Sequence, residues 1–415
     1  MDLRRVEPRF STIPALLYYD DWNNPSCNHE QSRGMKFLID RLSFRDALQK
    51  VEMAIDRKPT RPVLGGVLLE AQNDSVVLQT NDLDISVRYR IENVQVENPG
   101  YAVIPGRELV DLARDFESET IRVQLSDSGQ VHLEAGEDRC TLVTMESSAG
   151  NPGWMTEGPR EFPGVSPLEG SPTLTVAKHD FFLMVQATRF ATSRVNDGRF
   201  ATEGVLFDTE KGRLTMVGTD GRRLACIRRT ITSQSEEKKR TVLMPKVLDQ
   251  IVRFGQDEEG DSIEVFFLGN RVGFRCGRLE SFGRVLEGEF PNYDNVIPKG
   301  AKHIVRTHRD SISKKLKLAS HLTQDAAAVV RIQFSSDSME VSAEHEGRGR
   351  AAASLEVDYT GESFSASFNP AYLLDGLKAA QGEQVEIQIE EPTRPVKFVL
   401  GEEFDYVVMP LTSFA

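Results

Sequence analysis

Cysteine is sparse in this chain: Cys27, Cys140, Cys226 and Cys276 are the only four in 415 residues, and no two form a CxxC pair. That spacing argues against a disulfide framework or a structural zinc site and fits a reducing cytoplasm. Long apolar runs are missing as well. No stretch approaches the roughly 18 residues that a membrane helix needs, so no membrane partner is expected. Segment 1–34 holds one short apolar patch, Ile13–Tyr19, followed at once by Asp20 and Asp21. A secretory signal needs a basic start, a longer apolar core and a small-residue cleavage site, and this segment lacks them.

Positive charge is in the minority: 50 Lys and Arg against 63 Asp and Glu give a net charge of −13. This balance argues against a protein coated on every side by nucleic acid, but it leaves room for a basic stripe on one face. Catalytic signatures are absent too, with neither a GxxxxGK[ST] phosphate loop nor a GxSxG elbow. Asp82 with Asp84, and Asp208 with Asp220, suggest a two-metal hydrolase at first sight. Neither pair has a recognisable third ligand, and both fit turn or sheet-edge carboxylates better. His303 and His308 stand near a linker without a glutamate motif, and Gly347–Gly349 is too short to cradle a phosphate. No catalytic residue, metal or cofactor is therefore expected. A nuclease or other hydrolase on repeated α+β domains would need convergent acids. An adhesion protein would favour all-β units and a secretion signal.

What the chain does have is one unit written three times. Its length predicts two to four domains of roughly 100–200 residues. Each copy opens with an amphipathic helix: Ser43–Ile55, with Phe44, Leu48, Val51 and Ile55 at helical spacing, then His179–Thr192, then Asp310–Leu322. Ser43 and Asp46 suggest a capping box. A pair of strands follows each helix: Gly66–Glu70 with Ser75–Thr80, Gly204–Asp208 with Arg213–Val217, and Val330–Phe334 with Met339–Ser342. Short polar turns join them, the signal of a hairpin. A second helix comes next, marked by Pro105, Pro245 or Pro370; proline is tolerated at the first helical position because its missing N–H has no partner there. Another hairpin closes each unit. Pro/Gly-rich linkers at 150–172 and 291–300 separate the copies. The expectation is α+β: three similar domains, each with antiparallel sheets and two helices, at 35–165, 172–300 and 301–415. Residues 1–34 fall outside the pattern and read as a disordered extension or a start assigned too early.

Several short strings, in order from Met35 onward, resemble the bacterial DNA polymerase III beta subunits, the sliding-clamp family. They are Met35–Arg41 (MKFLIDR), Lys58–Gly65 (KPTRPVLG), Thr80–Leu83 (TNDL), Thr219–Leu224 (TDGRRL), Glu289–Tyr293 (EFPNY) and Tyr406–Pro410 (YVVMP). The resemblance implies a head-to-tail homodimer whose six domains close a ring around duplex DNA. Such a ring is a non-catalytic processivity factor that tethers the DNA polymerase III catalytic subunit. It also implies a clamp loader, and other polymerases and repair proteins that dock through short peptide motifs.

A ring that holds DNA by topology wants weak, interchangeable phosphate contacts, which carry no sequence information and weaken with salt. Candidate cations on or near the helices are Arg45, Lys50, Lys58, Arg107, Arg114, Arg194, Arg199, Lys246, Arg253, Lys314, Lys315 and Lys317. The resemblance favours Lys58, Arg107, Arg114, Arg199, Lys246 and Arg253 as DNA-binding residues. A second site is expected at the apolar C-terminus, which has no charge after Asp405 and suits peptide docking. The resemblance assigns this peptide groove to Thr219, Gly221, Arg222, Arg223, Leu224, Pro291, Val296, Val407, Val408, Met409, Pro410 and Leu411. Thr202 and Asn295 depart from the family pattern, as does the extension Phe414–Ala415, so the peptide preference is expected to differ.

Overall fold

The computed structural model describes residues 34–147, 159–195, 200–233, 238–323 and 328–411. The expectation for residues 1–34 therefore falls outside them, Gly34 excepted.

Each third of the chain runs strand, helix, three-strand meander, one or two further strands, helix, three-strand meander. In the first third, strand Lys36–Asp40 leads into helix α1 (Arg41–Val51) and the meander Gly66–Gln72, Ser75–Asn81, Ile85–Ile91; helix α2 (Gly106–Asp115) then precedes Thr120–Leu125, Gln130–Ala135 and Asp138–Val143. The second third repeats this with α3 (Lys178–Thr188) and α4 (Pro245–Phe254), and the last with α5 (Arg309–Ser320) and α6 (Pro370–Ala379). The expected hairpins are present, but each is one strand longer than its pattern suggested. The added strands, such as Arg223–Thr230 and Gly349–Glu356, carry arginines that break the apolar alternation.

The cap of α1 is a correction. Asp40, not Ser43, is the N-cap: its Oδ1 accepts from the Ser43 N–H and hydroxyl, both at 2.7 Å. Ser43 lies in the first turn, and Asp46 pairs with Arg45 instead. A carboxylate is the better acceptor for the unsatisfied N–H groups of a helix start. Pro245 and Pro370 occupy the first helical position as expected, whereas Pro105 falls one residue earlier, at the cap.

The thirds are fused by sheet continuation. Strand Ile85–Ile91 of the first pairs antiparallel with Leu279–Arg284 of the second, inside a ten-stranded sheet. Strand Arg223–Thr230 of the second pairs with Phe404–Val408 of the third, inside an eight-stranded sheet. In both cases the third strand of a first meander meets the last strand of the following third. A five-stranded sheet and a four-stranded sheet complete the chain, ending at the edges Asp138–Val143 and Gly349–Glu356.

Linker 159–172 is more than a spacer. Phe162 is buried with Leu64, Leu68 and Tyr101 of the first third. Leu168 is buried with Phe266 and Phe282 of the second. The Glu146 carboxylate collects the backbone N–H groups of Arg160, Glu161 and Phe162. One carboxylate thus accepts from three consecutive backbone N–H groups and ties the linker to the first third.

Candidate nucleic-acid interface and peptide groove

Arg107 and Arg114 are the second and ninth residues of α2, and Lys246 and Arg253 hold the same places in α4. Seven residues are nearly two helical turns, so each pair shares one face. The opposite faces bury Leu109, Val110 and Ala113 in α2, and Val247, Leu248 and Ile251 in α4. In α6 the equivalent positions hold Ala371 and Lys378.

Arg114, Lys246 and Arg253 meet, with Arg57, around a cavity of about 700 Å3 between the first two thirds. Arg57, Arg107 and Arg114 line a neighbouring hollow of about 420 Å3. Lys58 is exposed beside them, its backbone N–H bonded to Asp56. The cations are differently engaged. Lys246 Nζ donates to Asp82 across the joint. Arg114 pairs with Asp111 at 3.0 Å in the open, where such pairs contribute little. Arg253 lies 4.9 Å from the Phe254 ring centre. Arg199 lies outside the described residues. Lys314 and Lys317 are exposed on α5, with Lys315 half-buried, while Arg45 is paired with Asp46. Arg194 is exposed on the loop after α3.

Lys50 lines neither hollow. Its ammonium donates to the buried Glu258 carboxylate and to the Tyr89 hydroxyl at 3.1 Å, inside the joint between the first two thirds. Burial opposes its charge, but these partners outweigh the burial and raise its pKa. Sequence spacing put Lys50 on the polar side of α1; only the neighbouring third makes that side an interior one.

The second site lies where the eight-stranded sheet crosses from the second third to the last. Thr219, Gly221, Arg222, Arg223, Leu224, Pro291, Val296, Val407 and Met409 surround a narrow groove of about 100 Å3, together with Tyr293. The register Arg223↔Val408 and Leu224↔Val407 brings the two distant segments together. The Thr219–Arg222 turn is fixed by Asp220, whose Oδ1 accepts from the N–H groups of Arg222 and Arg223, and by Gly221 at φ 81°, which glycine adopts without strain. Val296 and Met409 present exposed apolar surface at the rim. Val408 is fully buried below it, and Pro410 and Leu411 continue beyond it, where the Leu411 N–H bonds to the Ser367 carbonyl. Thr202 is buried and Asn295 exposed, and neither lines the groove.

Arg223 lines this groove with its guanidinium turned inward. It donates to Asp220 at 3.0 Å, to Asp375 of the last third at 2.6 Å and to the Phe190 carbonyl at 2.9 Å. It also stacks 4.6 Å from the Tyr372 ring centre. Tyr293, outside the expected site residues, is buried under the groove and donates to Asp208 at 3.0 Å. Its signal in the sequence was its place between Pro291 and Val296.

Three of the four carboxylates that hinted at hydrolysis have side-chain partners, and the fourth belongs to a turn. Asp208 accepts from Arg240 and Tyr293, Asp220 from Arg223, Asp82 from Lys246, and Asp84 sits in the turn that Asp82 organises. His303 bonds to Tyr359 and His308 to Gln384. Burial pushes the Cys226 thiol up to about 12, which keeps it unreactive. Among the described residues, no group of three or more His, Cys, Asp or Glu could hold a metal ion.

Family profiles of the DNA polymerase III beta subunit match in chain order: the N-terminal domain over residues 35–149, the central domain over 175–292 and the C-terminal domain over 294–412. The chain is similar to the beta sliding clamp of Chlamydia muridarum, 27% identical over 91% of this chain and 99% of that one. It is similar to the Escherichia coli K12 beta sliding clamp, 26% identical over 91% and 100%. Among solved structures, the Bacillus subtilis DNA polymerase sliding clamp superposes with a TM-score of 0.84 at 22% identity, covering 92% of this chain and all of that one. The Pseudomonas aeruginosa clamp bound to griselimycin gives 0.82 at 25%, covering 92% and 100%.

Proposed function

Since this chain belongs to the DNA polymerase III beta subunit family, we propose that it is a sliding clamp: a non-catalytic processivity factor of DNA replication that encircles duplex DNA and tethers a polymerase to it. One observation carries the reading. The same strand-to-strand joint is made twice within the chain, and among the described residues the two strands that would make it a third time end their sheets without a further strand.

Those edges are Gly349–Glu356, the third strand of a first meander, and Asp138–Val143, the last strand of a third. They lie in different sheets at opposite ends of the chain order, so a second copy can supply the missing partner at each. Two head-to-tail contacts then close a dimeric ring of six similar domains. An unpaired sheet edge is a template for another strand. The domains of this reading are 35–165, 172–300 and 301–415.

In the ring, the α2 and α4 stripes face the DNA. Lys58, Arg107, Arg114, Arg199, Lys246 and Arg253 contact phosphates without reading sequence, and the net charge of −13 keeps DNA from the outer wall. The groove at Thr219–Leu224, Pro291, Val296 and Val407–Leu411 takes an apolar peptide from the polymerase III catalytic subunit, the clamp loader, and other polymerases and repair proteins. Val296, Met409 and Leu411, each more than a third exposed, offer the apolar contacts. These partners imply a cytoplasmic protein.

The purified protein should elute as a dimer and, once loaded, stay on nicked circular DNA but run off after linearisation. Equal loss from both forms would overturn the reading. Removing residues 409–415 should abolish capture of polymerase-derived peptides and leave the dimer intact; unchanged peptide affinity would remove the groove.

A further inference from the structure

Asp82 has no part in phosphate binding as just described, yet it lines the basic cavity. Its carboxylate is fixed by its own turn: Oδ1 accepts from the N–H of Asp84 at 3.1 Å and of Ile85 at 2.8 Å, while the Asp82 N–H donates to the Ile85 carbonyl. Oδ2 is thereby aimed across the joint at Lys246 Nζ, which donates to it. The carboxylate is sheltered, 9% exposed, whereas the lysine side chain is 39% exposed and open to the cavity. Glu52 and Asp56 line the same space, together with Arg57, Arg114 and Arg253.

A rigid oxyanion set against a lysine does for that lysine what a DNA phosphate would. We infer that Asp82 is an internal stand-in for phosphate, which holds Lys246 in the empty channel and loosens its grip on DNA. Each engagement of Lys246 with a phosphate then exchanges one anion for another. Only the difference between the two contacts favours binding, so the lysine hands on from phosphate to phosphate readily. The inference rests on the clamp reading and gives Asp82 a moderating role within it: it acts on DNA through Lys246 and does not touch it.

The test is the salt dependence of duplex binding by the intact dimer. Asp82→Asn keeps an Oδ1 acceptor for the turn and removes the charge. Freeing the part of the Lys246 charge that Asp82 offsets steepens the log–log salt slope by up to about 0.9, so from 50 to 200 mM salt the variant should lose up to about threefold more affinity than the parent. Its diffusion along stretched DNA should slow as well. Lys246→Gln should flatten the slope, and adding Asp82→Asn to it should change nothing further. A parental slope in Asp82→Asn would overturn the inference. So would the same steepening in the Lys246→Gln background, which would mean long-range charge and no pairing. If Asp82→Asn melts at a lower temperature than the parent, Asp82→Ser, with its hydroxyl acceptor, repeats the measurement. A parent that runs off nicked circles would defeat the clamp reading itself, an outcome visible before any variant is made.

Discussion

The tenth residue of the first helix differs instructively between the ends of the chain. In α1 it is Lys50, sealed into the joint with Glu258 and Tyr89; in α5 it is Leu318, 49% exposed beside the free edge strand Gly349–Glu356. Between them, the equivalent Ala187 of α3 is buried. The backbone position is the same, and the residue type follows the neighbour. A joint made within one chain accommodates a buried ion pair, since its two halves are always together. A joint made between chains forms and parts, and an apolar residue can return to water at less cost than an unpaired buried charge.

The strands tell the same story. At the first internal joint, Arg88 lies directly opposite Glu280 and pairs with it at 3.0 Å. At the second, Arg228 pairs with Asp405 at 3.2 Å. The free edge carries the run Ala351-Ala352-Ala353 instead, and the edge Asp138–Val143 ends in Val143, 67% exposed. The two joints within the chain each carry an ion pair between their strands; in the ring proposed above, the third would rest more on backbone pairing and small apolar side chains.

Two substitutions would break this contrast. Glu258→Ala should have the larger effect. It leaves the Lys50 ammonium without its carboxylate in a buried site, which costs about 3 kcal/mol. Thermal unfolding should fall by several degrees while the dimer constant stays put; an unchanged melting temperature would mean that the pair contributes nothing to the joint. Leu318→Asp should do the opposite. Chain stability should hold, since the side chain is exposed in the single chain, while dimer affinity drops by about 2 kcal/mol, or roughly thirtyfold. Sedimentation at decreasing concentration would detect this, and a dimer as tight as the parent would separate Leu318 from the ring contact.

Much of the fold was legible because the repeat made each third a check on the others. Apolar periodicity located α1, α3 and α5, and the prolines located α2, α4 and α6. The strands that escaped, such as Arg223–Thr230, did so because their arginines point at ion-pair partners in another third, which local alternation cannot anticipate. In the candidate site, resemblance named Arg107, Arg114, Lys246 and Arg253, and their seven-residue spacing puts each pair on one face of its own helix. Asp82 escaped notice as a partner of Lys246 because the two are far apart in sequence. Lys50 and Arg223 kept their expected places on the backbone, but their side chains turned into joints.

By itself, the sequence determined the helix and strand periods, which depend on residues within a few positions of one another, and the threefold unit, which shows in the recurrence of those periods along the chain. Only the tertiary structure decided which polar residues face a cavity and which face a neighbouring third. Burial and ion pairing belong to pairs of surfaces, and the folded chain alone brings those surfaces together.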